Sequence, residues 1–139
     1  MPTLQDEVRH AITAGHLGHL VTLNSDGSPQ VSLVWIGLEG DEIVIGHLGA
    51  GKKISNIERD PRVVLSVECD DANDMGLQHY LVIHGTARLV SGGAPELLQR
   101  LAETYLGPGV TFPPMASPPP GLVIHVTAER IGGVGPWSE

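Results

Sequence analysis

Glycine and proline cut this chain into short pieces: 18 glycines and 11 prolines fall among 139 residues, and the stretches between them are rich in Val, Ile and Leu. Proline fixes φ and removes an amide donor, while glycine opens conformations closed to other residues, so connections must be numerous and tight. Short β-branched segments bounded in this way favour β structure. Only 4% of the residues are aromatic, so the core has to be aliphatic.

Thr3 to Ala14 puts Leu4, Val8, Ala11 and Ile12 at helical spacing, with Thr3 as N-cap, Asp6 and Glu7 in the first turn and Gly15 as the stop. The run HLVTLNSDGSPQVSLVWI then reads as two strands around Asn24-Ser25-Asp26-Gly27, where Asp-Gly signals a hairpin turn. A second turn at Leu38 to Asp41 leads to a third strand, Glu42 to His47. GAGKKISNIERDP is a glycine loop opening a short helix that Pro61 ends, and RVVLSVEC is strand four. An acidic, solvated loop is expected from Asp70 to Asp74, followed by strand five in HYLVIHGTARLV.

Ala94 to Leu106 is predicted to be a helix with Leu97, Leu98 and Leu101 facing inward and Pro95 in its first turn. VTFPPMASPPPG carries five prolines after Phe112 and reads as an irregular connector or flap; LVIHVTAERIGGV supplies the last strand. The sum is one domain over residues 1–139: a mainly antiparallel β-barrel with peripheral helices, an α+β chain of mainly β character.

Charge narrows the function classes. Eight Lys and Arg against 16 Asp and Glu give a net charge of −8, which repels phosphate backbones and anionic membranes, so neither nucleic acid nor a membrane is an expected partner. No stretch approaches the roughly 18 apolar residues of a membrane span, and the single cysteine suits a reducing compartment; a cytoplasmic location is the expectation.

Few residues carry chemistry by themselves. The seven histidines show no HExxH and no ligand-pair spacing, so no metal site is expected. Cys69 sits beside Glu68 and Asp70, whose charges raise a thiol pKa, and no GxSxG elbow exists. The exception is Lys52 and Lys53, which follow Gly49-Ala50-Gly51 where a helix begins; free amides, the helix dipole and two ammonium groups can hold a phosphate there. A solvated lysine pair beside a flexible loop is the alternative. Any reaction would otherwise have to come from a bound cofactor.

The pieces TLxxDGxPQVS, KxxNIxRDPRV and HGTARLV, in the order Thr22 to Ser32, Lys53 to Val63 and His84 to Val90, resemble the pyridoxamine 5′-phosphate oxidase-like split barrels, most closely their F420-binding branch. The likeness runs on through ERIGGVGPW and so covers nearly the whole chain. It implies a homodimer with two cofactor sites at the subunit interface, holding the deazaflavin F420 or, as the runner-up, FMN. A small organic electron acceptor would be the other partner. By the same resemblance Lys53 is the phosphate-binding lysine, with Lys52 standing in for a second basic ligand that some relatives carry at the position of Gly51.

Gln30, Ser32 and Val34 share one strand face at period-2 spacing, and the resemblance puts that face beside the tricyclic ring; ordinary barrel lining is the alternative. Gln78 and Tyr80 fall where relatives bring residues of the second subunit to the cofactor, although many have an aromatic residue at position 78. Trp137 is expected to pack over the partner near the cofactor pocket, and Tyr80 or His47 are the candidates to deliver a substrate proton; no catalytic residue is otherwise assigned. The resemblance implies an oxidoreductase that passes a hydride from reduced F420 to an activated double bond. FMN-dependent chemistry and a non-enzymatic cofactor carrier are the alternatives.

Overall fold

A computed structural model of the chain describes residues 3–49 and 51–138; Ala50 of the glycine loop lies outside them. The elements run α1 (Asp6–Thr13), β1 (Gly18–Leu23), β2 (Pro29–Val34), β3 (Gly37–Glu39), β4 (Glu42–His47), α2 (Lys52–Arg59), β5 (Arg62–Ala72), β6 (Gln78–Ser91), α3 (Ala94–Tyr105) and β7 (Leu122–Val134). All strand pairs are antiparallel, and the seven strands form one sheet in the order β2-β1-β5-β6-β7-β4-β3.

The sheet curls because its two longest strands bend. Strands β6 and β7 pair from Tyr80–Val134 to Ser91–Leu122, with an irregularity between His84 and Gly85. An added Cβ on Gly85 would lie 2.1 Å from the Thr127 carbonyl oxygen, so only glycine lets the strands meet at that bulge. The concave face collects Leu20, Leu65, Leu81, Ile83, Ile43, Ile45 and Ile124, each 1% exposed or less, and α1 adds Val8 and Ile12. At about 25 cal/mol per Å² of buried apolar area, this aliphatic interior is the principal stabilising term.

Four local readings differ from the structure. Helix α1 begins at Asp6 with Gln5 as N-cap rather than at Thr3, because the chain before it is held elsewhere: Leu4 N–H donates to Asp41 Oδ1 at 3.2 Å. The second strand stops at Val34, and the expected turn from Leu38 begins with a further strand, β3. Tyr105 causes that break. Its hydroxyl accepts from Ile36 N–H at 3.0 Å and donates to the His16 carbonyl at 2.8 Å, pinning the β2–β3 corner to the start of β1.

The acidic loop is also shorter than expected: β5 runs on to Ala72, paired with Gln78, and Asn73 Oδ1 closes the turn by accepting from the N–H groups of Met75 and Leu77. In α3, Leu97 and Leu101 are buried but Leu98 is only half-buried. Residues 106–121 have neither helix nor strand, in line with their prolines. Gln99 holds their entry, donating to the Val110 carbonyl at 2.7 Å and accepting from Phe112 N–H at 2.8 Å, and Phe112 packs against Trp35 at 5.0 Å.

Candidate functional site

Helix α2 is fastened to the β1–β2 hairpin by one buried side chain. Asn56, 2% exposed, extends Nδ2 to Thr22 Oγ1 at 3.0 Å, Asn24 Oδ1 at 3.0 Å and Gln30 Oε1 at 3.2 Å. Its Oδ1 accepts from Arg59 Nη2 at 3.1 Å, and Arg59 also donates to the Leu23 carbonyl. Lys53 lies three residues before Asn56 and so shares its helical face, which brings the lysine and Gln30 to the same end of the barrel.

Lys53 is half-buried, and burial pushes its ammonium pKa down. No carboxylate among the described residues pairs with it, although the chain carries 16. A desolvated cation left without an internal counter-charge is suited to an anionic ligand. The first intrahelical bonds of α2 run from Ile54 and Ser55 N–H to the Gly51 carbonyl, so the amides of Lys52 and Lys53 precede the ladder, as they must for a helix N-terminus to meet an anion. Lys52 is exposed and close enough to Asp26 to help lower that carboxyl's pKa, mainly the work of hydrogen bonds from Ser28.

His47 ends β4 against this loop; an added Cβ on Gly51 would come within 3.4 Å of its Nε2. A methyl at position 51 would thus rest in ordinary contact with the imidazole.

The other expected residues separate into distinct places. Ser32 is half-buried on β2 beside Gln30, whereas Val34, 7% exposed, belongs to the hydrophobic core and serves the barrel lining. Gln78 and Tyr80 line a cavity of about 390 Å³ with His19, Ser66 and Glu68, on the convex side of the sheet. Gln78 Nε2 is engaged there by the Cys69 carbonyl at 2.7 Å. Trp137 folds back on its own chain, donating Nε1–H to the Tyr80 carbonyl at 3.3 Å and meeting His79 edge-on at 6.1 Å. With His10, Ala14, His16 and Cys69 it walls a second cavity of about 290 Å³ under α1. One chain therefore presents the Lys53 end and, apart from it, the Gln78–Tyr80–Trp137 surface.

Cys69 is buried, and burial first, then Asp70 and Asp71, pushes its thiol pKa up; the charges come from the residues after it rather than from Glu68. The histidines are dispersed: His16 meets Asp70 at 3.0 Å, His125 meets Glu42 at 3.2 Å, and His19 Nδ1 lies 3.4 Å from the Ser66 carbonyl. Among the described residues no group of three or more His, Cys, Asp or Glu is arranged to hold a metal ion, and no helix is long and apolar enough to cross a membrane.

Asn56 is the site residue that inspection of the sequence passed over. Its signal was an amide in the buried stripe of a helix, between Ile54 and Ile57, where an apolar residue is the norm.

Three comparisons bear on this arrangement. A sequence model described as pyridoxamine 5′-phosphate oxidase matches residues 4–135. A 5a,11a-dehydrotetracycline/5a,11a-dehydrooxytetracycline reductase of Streptomyces rimosus subsp. rimosus is 26% identical over 110 residues, covering 76% of this chain and 77% of the reductase. Among solved structures, an F420 reductase superposes with a TM-score of 0.72 at 25% identity, covering 93% of this chain and 98% of its own. A FAD-binding protein of Mesorhizobium loti shares the fold with a TM-score of 0.66 at 20% identity, covering 95% of each chain.

Proposed function

This chain belongs to the pyridoxamine 5′-phosphate oxidase family, and from that membership we propose that it is an F420H2-dependent oxidoreductase acting on the activated double bond of a small organic molecule. Its relatives include reductases, and the coarser conclusion, an oxidoreductase-like split-barrel protein, holds whichever tricyclic cofactor it takes. The observation that supports a phosphate-bearing cofactor is Lys53: a half-buried ammonium with no carboxylate partner among the described residues, on the helix whose Asn56 bonds Gln30. The two reductases among the relatives, one named for F420 and one for a dehydro substrate, favour hydride addition to a double bond.

In this reading Lys53 and the first amides of α2 bind the phosphate of the cofactor, Lys52 strengthens the local positive field, and Gln30 and Ser32 contact the ring. The bound reduced deazaflavin supplies the hydride. The protein's own contribution is alignment and exclusion of water; the proton that completes the reduction comes from solvent or from Tyr80 or His47.

A homodimer completes the proposal. Val31 and Leu33 point away from the core with 56% and 58% of their surface exposed, and Val21, paired with Val31, and Val64, paired with Val21, extend the apolar face. A second copy seated there would cover this face and bring the Gln78–Tyr80–Trp137 surface of one subunit towards the anion end of the other. FMN remains the second reading, supported by the flavin-binding neighbour with the same fold. A carrier that binds F420 without turnover would use the same lysine.

Equilibrium binding of F420 and FMN, side by side at matched ionic strength, tests the cofactor. Tight binding of F420 with weak binding of FMN is expected; the reverse order would make this an FMN protein, and binding of neither would remove the reading. Reoxidation of bound F420H2 by enone acceptors then separates an enzyme from a carrier.

A further inference from the structure

Asn56 does more than fasten a helix. We infer that it is a positioning residue that sets the polarity of the Gln30 amide, so that Gln30 presents a pair of N–H donors to whatever occupies the site. The identity of that ligand rests on the cofactor reading above; the orientation of Gln30 does not.

The direction of every bond in the network is fixed from its ends. At one end the Asp26 carboxylate can only accept, and Ser28 Oγ lies 2.5 Å from it, so the Ser28 hydroxyl must donate there. Ser28 Oγ then accepts from Asn24 Nδ2 at 3.1 Å, which turns the Asn24 oxygen towards Asn56. At the other end the Arg59 guanidinium can only donate, and it takes the Asn56 oxygen at 3.1 Å. Asn56 is therefore held with Nδ2 facing Thr22, Asn24 and Gln30, its two hydrogens serving three oxygens.

Gln30 has to answer with Oε1, because its own NH2 turned inward would set donor against donor in a buried place. No described residue accepts from Gln30 Nε2, which stands at a half-buried position on the rim next to Ser32. The ligand atom that Gln30 meets is hence an acceptor, a carbonyl oxygen or a ring nitrogen with a free lone pair. The ring carbonyls common to F420 and FMN meet this requirement.

Asn56→Asp tests the inference with little change of shape. The new carboxylate keeps Arg59 but cannot donate, so Gln30 swings its NH2 inward and shows its oxygen to the ligand. In the ligand-free protein, side-chain amide NMR should show the Gln30 NH2 exchanging freely with water in the native chain and protected in Asn56→Asp. The variant should also lower affinity for whichever of F420 and FMN binds by about tenfold or more, the effect of one hydrogen bond lost and a buried mismatch gained. In a Gln30→Ala background the same Asn56→Asp change should cost clearly less affinity than in the native chain, since the part of its effect that runs through Gln30 is gone.

An undiminished loss in that background, or unchanged exchange of the Gln30 amide, overturns the inference while leaving the cofactor reading intact. If the native protein binds neither cofactor, that reading fails and the exchange measurement decides the orientation alone. Should Asn56→Asp fail to fold, Arg59→Met releases the Asn56 oxygen and gives the same comparison.

Discussion

Removing one oxygen atom at the β2–β3 corner should cost this protein a large part of its stability. In Tyr105→Phe the ring stays, stacked on Trp35 with centroids 5.3 Å apart, and only the hydroxyl goes. Two bonds go with it, the one from Ile36 N–H at 3.0 Å and the one to the His16 carbonyl at 2.8 Å. Ile36 is 1% exposed, so its amide has no water to turn to and carries the penalty of an unpaired buried donor, about 1–3 kcal/mol. The His16 carbonyl is better placed for solvent and adds about 0.5–1 kcal/mol.

The sum, about 1.5–4 kcal/mol, is read by urea unfolding at fixed protomer concentration. With a slope of about 2 kcal/mol per molar, the midpoint should fall by about 0.75–2 M. Alkali supplies an internal control. Burial raises the Tyr105 pKa above its ordinary 10.0, which favours the protonated phenol in the fold; its contribution is full below pH 10 and is lost as the pH climbs through the raised value. The gap between native and Tyr105→Phe proteins should therefore narrow above pH 10. A loss under about 0.5 kcal/mol at neutral pH, with no such narrowing, would refute the reasoning.

Lys53→Ala should weaken cofactor binding by about 1.5–3 kcal/mol, or about 10- to 150-fold, whereas exposed Lys52→Ala should cost far less; fluorescence titration of both variants checks the difference. On the proposed dimer the native chain should sediment as a dimer and Leu33→Glu, which sets a carboxylate on the exposed apolar face, as a folded monomer; unchanged sedimentation would locate the interface elsewhere. Gly85→Ala should lower stability by at least about 2 kcal/mol in the same urea assay, since the new methyl meets the Thr127 carbonyl oxygen at 2.1 Å and the two strands must part. A neutral result there would mean that the bulge gives way easily.

What the sequence disclosed was whatever neighbouring residues decide. Asp26-Gly27, Gly15, Pro61 and Pro95 mark their turns and helix ends within a few positions, and the strands around them follow from β-branched runs. Strand β3 was hidden because three residues have no period, and because the corner before it is held by Tyr105, 69 positions from Ile36. The extension of β5 to Ala72 was hidden by its charges, which face solvent and so resemble a loop. Lys53 and Gln30 were each visible through motif and strand period. That Asn56 joins them was not, since the network draws on residues 22, 24, 30, 56 and 59, scattered over two strands, a turn and a helix.

The half-burial of Lys53 also bears on how fast the proposed anionic cofactor would arrive. Lys53 attracts an anion only at close range, whereas the net charge of −8 acts over the whole approach. An anion therefore meets repulsion first and attraction last, the reverse of the familiar electrostatic funnel. Rising ionic strength lowers the outer barrier and loosens the inner contact together, so arrival and departure both quicken. Salt, usually the enemy of charged encounters, would here help the proposed anionic ligand reach Lys53.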